Sequence, residues 1–198
     1  MRAALLFLLL TATGCGRGTS APTPEPSPAP AAPTETIPNP QFASWAKFNP
    51  GTRVVVRSTT ASDGHEGKTS TTTATTLVEV THEEVAVETQ TKSRRYDGHE
   101  ENNPPSVHRL PKELSLPPGM TGEQSRKKTA ESGEETITVA GKEYRAEWHK
   151  GKDRNEGGEV FVQTWTSDAI PGRFLKSVSR TPAVGKTTTI EVIEVVEK

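Results

Sequence analysis

A strict alternation of apolar and polar positions is the clearest pattern in the chain. In KEYRAEWHK, the residues Tyr144, Ala146 and Trp148 fall on one side of an extended backbone, and the positions between them are occupied by Glu143, Arg145, Glu147 and His149. This period of two is typical of a half-buried β-strand. The preceding Ala-Gly-Lys predicts a tight hairpin turn, in which Gly141 supplies the positive φ.

Other segments rich in valine, threonine and isoleucine predict further strands: TRVVVRSTT, KTSTTTATTLVEV, EVAVETQTKSRRY, EVFVQTWTSDAIPG, RFLKSVSRT and KTTTIEVIEVVEK. Turn-forming residues separate them at regular intervals. The fold is therefore predicted to be mainly β, an antiparallel meander that forms a curved sheet or a half-open barrel. The threonine run in KTSTTTATT is polar on both faces, which predicts either an edge strand or the lining of a hydrated concavity.

A short amphipathic helix is predicted before the first strand. In NPQFASWAKFNPGT, Phe42, Trp45 and Ala46 follow helical spacing, and Asn49-Pro50-Gly51 ends the run. We expect the aromatic face of this helix to pack on the sheet, with an aromatic ligand platform as the alternative. Residues 97–133 are polar and hold five prolines, which predicts a long loop that serves as a lid or as a surface excursion.

The N-terminus has the layout of a secretory signal peptide. Arg2 precedes an apolar run, small residues follow, and the lone cysteine Cys15 ends the ATGC tetrapeptide. ATGC resembles the bacterial lipobox, which implies cleavage after residue 14 and lipidation of Cys15. An ordinary signal peptide beside an incidental thiol is the alternative. Gly16 follows the cysteine, where aspartate would retain a lipoprotein at the inner membrane, so the resemblance favours the outer membrane.

Domain organisation follows from composition. Residues 1–14 are the predicted signal peptide, and residues 15–40 are the lipidated cysteine and a proline-rich tether that favours extended polyproline II. Residues 41–198 form a single β-rich domain. We expect an exported protein, attached to the membrane through Cys15, with its domain facing the periplasm or the exterior. The formal net charge of −1 argues against nucleic acid as a partner.

Few residues in this chain carry catalytic or metal-binding patterns. No Gly-x-Ser-x-Gly elbow and no His-x-x-x-His spacing occurs, and Glu147 with His149 would supply only half a metal site. Asp168 is expected to set a turn through its side chain. An envelope hydrolase, the alternative, would have to use Asp168, Glu147 and His149. We therefore predict no catalytic site, metal or cofactor, and expect a non-enzymatic binding or interaction role with a protein or lipid partner.

Four segments with strand and turn patterns resemble sequences of known proteins: FNPGTRVVV, TTLVEVTHEEVAVET, ETITVAGKEY and WTSDAIPGRFLKS. Together they resemble a group of uncharacterised, β-rich bacterial envelope lipoproteins of planctomycete type. More distantly, a tethered antiparallel sheet with a short N-terminal helix is similar to the architecture of LolA/LolB-like lipoproteins, which implies a lipid or small-molecule carrier. The expected ligand or contact surface lies near the WTSDAIPG strand end, at Trp165, Asp168, Pro171 and Gly172.

Overall fold

A computed structural model describes residues 36–64, 67–116 and 131–198. The predicted signal peptide, Cys15 and all but the last residues of the tether lie outside the described residues. The strands are β1 Thr36–Pro38, β2 Arg53–Ser62, β3 Thr69–Val80, β4 Glu84–Arg94, β5 Glu100–Asn102, β6 Ser106–Pro111, β7 Glu113–Ser115, β8 Glu131–Val139, β9 Lys142–Asn155, β10 Gly158–Thr166, β11 Phe174–Thr181 and β12 Lys186–Val196. Helix α1 is Pro40–Trp45, and a 3-10 turn covers Pro182–Val184. None of the helices described here is long and apolar enough to cross a membrane.

One large antiparallel sheet dominates the fold. Its strand order is β5-β4-β3-β2-β12-β11-β10-β9-β8, with β6 also paired to β4, while β1 and β7 form a separate pair. The first long strand, β2, pairs with the last, β12, and this pairing joins two meanders into one sheet. The predicted mainly-β antiparallel architecture is confirmed, and the sheet is not closed into a barrel.

The half of the sheet from β12 to β8 is strongly curved, because β8 contacts β12 although three strands separate them. The environment of Tyr144, near the start of β9, agrees with this curvature. Burial raises the pKa of Tyr144, and the carboxylate of Glu197, just after β12, adds to the effect.

The antiparallel register sorts the side chains into two faces. One row across six strands reads Thr164, Ser177, Ile190, Ser58, Thr71 and Ser93. The neighbouring row, which projects to the other side, reads Trp165, Lys176, Glu191, Arg57, Thr72 and Lys92. We call the first side the helix face, because Trp45 of helix α1 and the side chains of Val54, Val56 and Val87 on this side line one groove. The second side is the opposite face.

Helix α1 begins and packs as its sequence predicts. The Asn39 side chain accepts a hydrogen bond from the Gln41 amide at 3.0 Å, and Pro40 takes the first helical position, where its missing N–H costs nothing. The Asn39 side chain also donates to the Pro111 carbonyl at 2.7 Å, which ties the helix start to the end of β6. Trp45 is buried in the core and Phe42 packs beside it, as expected for the aromatic face.

The apolar core lies at one end of the sheet, around the buried residues Leu77, Ile170, Leu175, Val85 and Val192. Three register shifts fall near this end, at Leu77/Glu79, Val192/Glu194 and Trp165/Thr166. A β-bulge bends its strand and increases the local twist. The shifts thus coincide with the region where the sheet wraps around its core, and the alternation predicted for Tyr144 and Ala146, both buried, is confirmed there.

Two sequence expectations need correction. Within residues 97–133, the described part contains β5, β6, β7 and the start of β8 rather than an uninterrupted loop, and residues 117–130 lie outside the described residues. Pro111 is compatible with β6 because an outer strand tolerates a missing backbone donor. The expectation of an edge position for the threonine run is wrong, because β3 pairs with β2 on one side and β4 on the other.

Replacing Leu77 with alanine tests the position of the core. Leu77 is fully buried, whereas its neighbour Val78 is 49% exposed. We expect Leu77→Ala to lower the free energy of unfolding by about 2–5 kcal/mol, through lost burial and a residual cavity. The matched Val78→Ala change should cost less than about 1 kcal/mol. Urea denaturation followed by circular dichroism measures both, and equal losses would contradict this assignment of the core.

Candidate functional site

An apolar groove of about 470 Å³ opens on the helix face. Its volume lies within the range of about 300–1,000 Å³ that is usual for ligand pockets. The sheet forms its floor, and α1 and the loop before β11 form its walls. The lining residues are Gln41, Trp45, Val54, Val56, Thr75, Val87, His108, Leu110, Pro171, Gly172, Phe174 and Ile190.

Hydroxyl groups continue the helix face beyond the groove. Four cross-strand hydroxyl pairs lie there, with O–O distances of 2.9 Å for Thr60 and Thr188, 3.2 Å for Thr71 and Ser93, 3.3 Å for Thr73 and Thr91, and 3.2 Å for Thr164 and Ser177. Each bond engages one of the two O–H groups as the donor, so the other O–H of the pair can donate to a further acceptor. Thr71, Thr73 and Thr75 of the threonine run belong to this polar part of the helix face, whereas Ser70 and Thr72 lie on the opposite face. A hydrated concavity lined by the run stays a prediction.

Charge separates the two faces of this part of the sheet. At the described helix-face positions of β2, β3, β4 and β11 there is no ionisable side chain, and β12 contributes only Lys186, at its first residue. On the opposite face, the same strands carry Arg57, Lys92, Lys176 and Glu191. A ligand on the helix face of these strands therefore meets apolar groups and neutral hydroxyls, with no fixed counter-charge beside it.

A polar pair stands at the outer end of the groove. His108 and Ser106 lie on β6, and the His108 Nε2 and Ser106 Oγ atoms are 3.0 Å apart. Both residues are exposed. The pair offers a hydrogen-bonding group where β6 meets the apolar lining around Leu110.

The loop between β10 and β11 closes the groove next to helix α1. Ile170 and Pro171 are buried in it, and Gly172, with φ 76°, lies against the Trp45 indole: a Cβ at Gly172 would stand 3.4 Å from Nε1. The Ser167 amide donates to the Arg173 carbonyl at 2.7 Å, which closes the base of the loop. These contacts hold the loop close to the helix.

Ion pairs surround the outside of this loop. The Asp168 carboxylate lies 2.7 Å from Arg173 Nε and 3.7 Å from Lys47 Nζ, and the Glu147 carboxylate lies 3.7 Å from Arg173 Nη2. The expected turn role of Asp168 is not observed. Instead, the Ser167 hydroxyl accepts the Ala169 amide at 3.4 Å, and the Asp168 side chain turns outward to the cations.

The structure separates the residues of the expected contact surface. Pro171 and Gly172 line the groove, and Asp168 lies in a shallow depression of about 200 Å³ beside Glu147 and Arg173. Trp165 belongs to the opposite face by its register with Lys176, and its indole N–H donates to the carboxylate of Glu135.

Of the three residues that a hydrolase would have to use, the structure brings Asp168 and Glu147 together at Arg173. Arg173 bridges Glu147 and Asp168, and both carboxylates are largely exposed. His149 lies two residues beyond Glu147 on the same face of β9, opposite Thr164. Among the described residues, no three His, Cys, Asp or Glu side chains are grouped so that they could hold a metal ion.

Comparison with known proteins adds two distant likenesses. No protein-family model matches the chain, and no curated protein sequence matches it significantly. One solved structure, of a Bacteroides fragilis protein inferred to be exported and with a YmcC-like fold, has 8% sequence identity and a TM-score of 0.46, and the match covers 79% of this chain and 99% of that one.

A second similar structure is a DUF1329 family protein from Desulfovibrio piger. It has 7% identity and a TM-score of 0.23, and the match covers 74% of this chain and 85% of that one. Similarities this distant carry no argument about function. The affiliation with planctomycete-type lipoproteins that the sequence phrases imply stays a prediction.

Two substitutions of Arg173 test the balance of forces in the loop. Arg173 has φ 60°, a left-handed conformation that costs a non-glycine residue about 1–2 kcal/mol, whereas exposed ion pairs contribute about 0–1 kcal/mol. Both Arg173→Ala and Arg173→Gly remove the ion pairs, but only glycine relieves the backbone. We expect the glycine variant to be the more stable of the two by about 1 kcal/mol in urea denaturation. A more stable alanine variant would contradict this conformation.

Proposed function

We propose that this protein is a non-enzymatic, membrane-anchored envelope protein that binds an uncharged amphiphile on its helix face. The observation that carries this proposal is the continuity of two surfaces. An apolar groove lies under helix α1, and rows of neutral hydroxyls extend from it across the same face.

The groove matches the apolar part of such a ligand. Val54, Val56 and Ile190 form its floor, and Trp45 supplies an aromatic wall. Removing an alkyl chain from water contributes about 25 cal/mol for each Å² of apolar surface buried. This term is non-directional, so it favours chain-like ligands without fixing their identity.

The hydroxyl rows match the polar part. Paired threonine and serine hydroxyls can both donate to and accept from a hydroxylated head group. A charged phosphate or carboxylate would lose hydration on this face without gaining a cation beside it, because the described helix-face positions of β2, β3, β4 and β11 are uncharged. The arrangement therefore favours a glycerol or sugar head group over an ionised one.

The N-terminal sequence supports membrane attachment. Its apolar run, small residues and Cys15 fit a lipoprotein signal, and the proline-rich tether that follows would hold the domain away from the bilayer. Gly16 after the cysteine favours the outer membrane. On this proposal, the helix face takes its ligand at or near a membrane surface, as a lipid or small-molecule carrier does.

A pair of amphiphiles with the same acyl chain tests the head-group preference. We expect the full chain to bind monopalmitoylglycerol at least about tenfold more tightly than palmitoyl lysophosphatidic acid, since only the second must bury a charge without a partner. Isothermal titration calorimetry below the micelle-forming concentrations measures both affinities. Tighter binding of the phosphorylated amphiphile would contradict the proposal.

Two substitutions on β6 locate the binding. Leu110 lines the groove, whereas Val107 is 57% exposed and lies outside it. Leu110→Asp should weaken monopalmitoylglycerol binding at least about tenfold by placing a carboxylate against the alkyl chain. Val107→Asp should leave the affinity within about twofold, and thermal unfolding checks that both variants are folded. Equal effects of the two changes would place the ligand elsewhere.

Metabolic labelling tests the anchor independently of the ligand. A fatty-acid analogue should label the wild-type protein and not Cys15→Ser, because the thiol is the only proposed acylation site. The unlabelled variant should also leave the membrane fraction. Equal labelling of both proteins would contradict lipidation at Cys15 and leave the groove proposal unaffected.

A further inference from the structure

A second concave site lies on the opposite face of the sheet, away from the groove. It is a cleft of about 360 Å³ formed by β9, β10 and β11, with the first residue of β8 at its rim. Its lining includes basic side chains, aromatic rings and an amide, among them Lys150, Lys152, Phe161, Gln163, Trp165 and Arg180.

Register makes basic residues the direct cross-strand neighbours of an aromatic residue. Phe161 pairs with Lys152 on one neighbouring strand and with Arg180 on the other, so an exposed ring stands between two cations on the same face. Lys152 Nζ lies 5.1 Å from the centre of the Phe161 ring. Phe161 is 38% exposed, so part of its side chain is accessible to a ligand in the cleft.

The next row adds a hydrogen-bonding group. Gln163 follows Phe161 on the same face of β10, between Lys150 and Val178. Its amide can donate two hydrogen bonds and accept two more. The row beyond it contains Trp148, Trp165 and Lys176, and the Trp165 indole lines the cleft at this end.

Charge is distributed unevenly along the cleft. Glu131 is the one carboxylate among its described lining residues, and it pairs with Lys150 at 3.2 Å. At the tryptophan end, Glu135 accepts the Trp165 N–H and Glu191 stands opposite Lys176. Positive charge therefore prevails at the other end, where Lys152 and Arg180 flank the Phe161 ring.

We infer that this cleft binds an anionic saccharide. A pyranose ring presents an apolar patch of C–H groups, which can pack on Phe161, and hydroxyls, which can bond to the Gln163 amide. A carboxylate or phosphate on the sugar would receive charge-assisted hydrogen bonds from Lys152 and Arg180. A small inorganic anion would use the two cations alone and leave the exposed ring and the amide uncontacted.

The expected ligand is a sugar ring that carries a negative group, and this group can be a carboxylate or a phosphate. Two anionic probes distinguish these two possibilities. Trigalacturonate supplies carboxylates, glucose 6-phosphate supplies a phosphate, and maltotriose supplies the ring without charge. Isothermal titration calorimetry on the full chain at low salt measures all three affinities. We expect one or both anionic sugars to bind and maltotriose to bind at least about tenfold more weakly.

Paired substitutions test the residues. Lys152→Gln with Arg180→Gln should weaken binding of the anionic sugar at least about tenfold, and Phe161→Leu should weaken it by removing the ring while keeping an apolar side chain. Arg57→Gln with Lys92→Gln removes the same two residue types from the same face outside the cleft and should change the affinity less than about twofold. Circular dichroism and thermal unfolding confirm that each variant is folded.

Each outcome decides the proposal. Binding of trigalacturonate alone identifies a carboxylated sugar, and binding of glucose 6-phosphate alone identifies a phosphorylated one. Binding of neither anion, maltotriose binding as tight as the anions, or no effect of the Lys152 and Arg180 changes would overturn it. Leu110→Asp in the groove should leave anionic sugar binding intact, so this site and the proposed amphiphile site can fail separately.

Discussion

The antiparallel pairing of β2 with β12 is the interaction on which the rest of the structure depends. It joins the first long strand to the last and merges two local meanders into one sheet. It also fixes the register of every row that crosses the centre. Because strand side chains alternate strictly, a slip of β12 by one residue along β2 would pair Glu191 with Ser58 and bring a carboxylate to the helix face in place of Ile190.

Two chemically different surfaces follow from that register. On the helix face, apolar residues near α1 give way to neutral hydroxyls, and on the opposite face the same strands carry charges. Beyond β11, the opposite face becomes the basic and aromatic cleft around Phe161. A single curved sheet can thus offer one site to an uncharged amphiphile and, on its other face and mostly on other strands, a second site to an anionic sugar.

Much of this fold could be predicted from local pattern. The alternation of Tyr144, Ala146 and Trp148 identified β9, and Gly141 identified the hairpin before it, because both signals are contained in a few consecutive residues. The aromatic spacing of Phe42 and Trp45 identified helix α1 in the same way. These signals are local and can be recognised without knowledge of distant partners, although packing on the sheet is what stabilises a helix as short as α1.

The features that pattern missed all depend on distant partners. The threonine run looked like an edge because nothing near it reveals that β2 and β4 flank it on both sides. Strand β6 was hidden by Pro111, by Pro104 and Pro105 just before it, and by its polar residues, since its strand conformation comes from pairing with β4. In the cleft around Phe161, Lys152 and Arg180 become neighbours only through strand register. In the groove, Leu110 and Ile190 line one site although they lie on the first and last of five adjacent strands. The spacing of these residues along the chain predicts neither the cleft nor the groove.

The central claim is that the helix face, and not the opposite face, holds the amphiphile. Methyl NMR spectra of the full chain, recorded during titration with monopalmitoylglycerol, test it most directly. The account predicts shifts concentrated at the methyl groups of Val56, Leu110 and Ile190, with those of Val107 and Val178 unchanged. Shifts concentrated at Val107 and Val178, with the groove methyls unmoved, would contradict it.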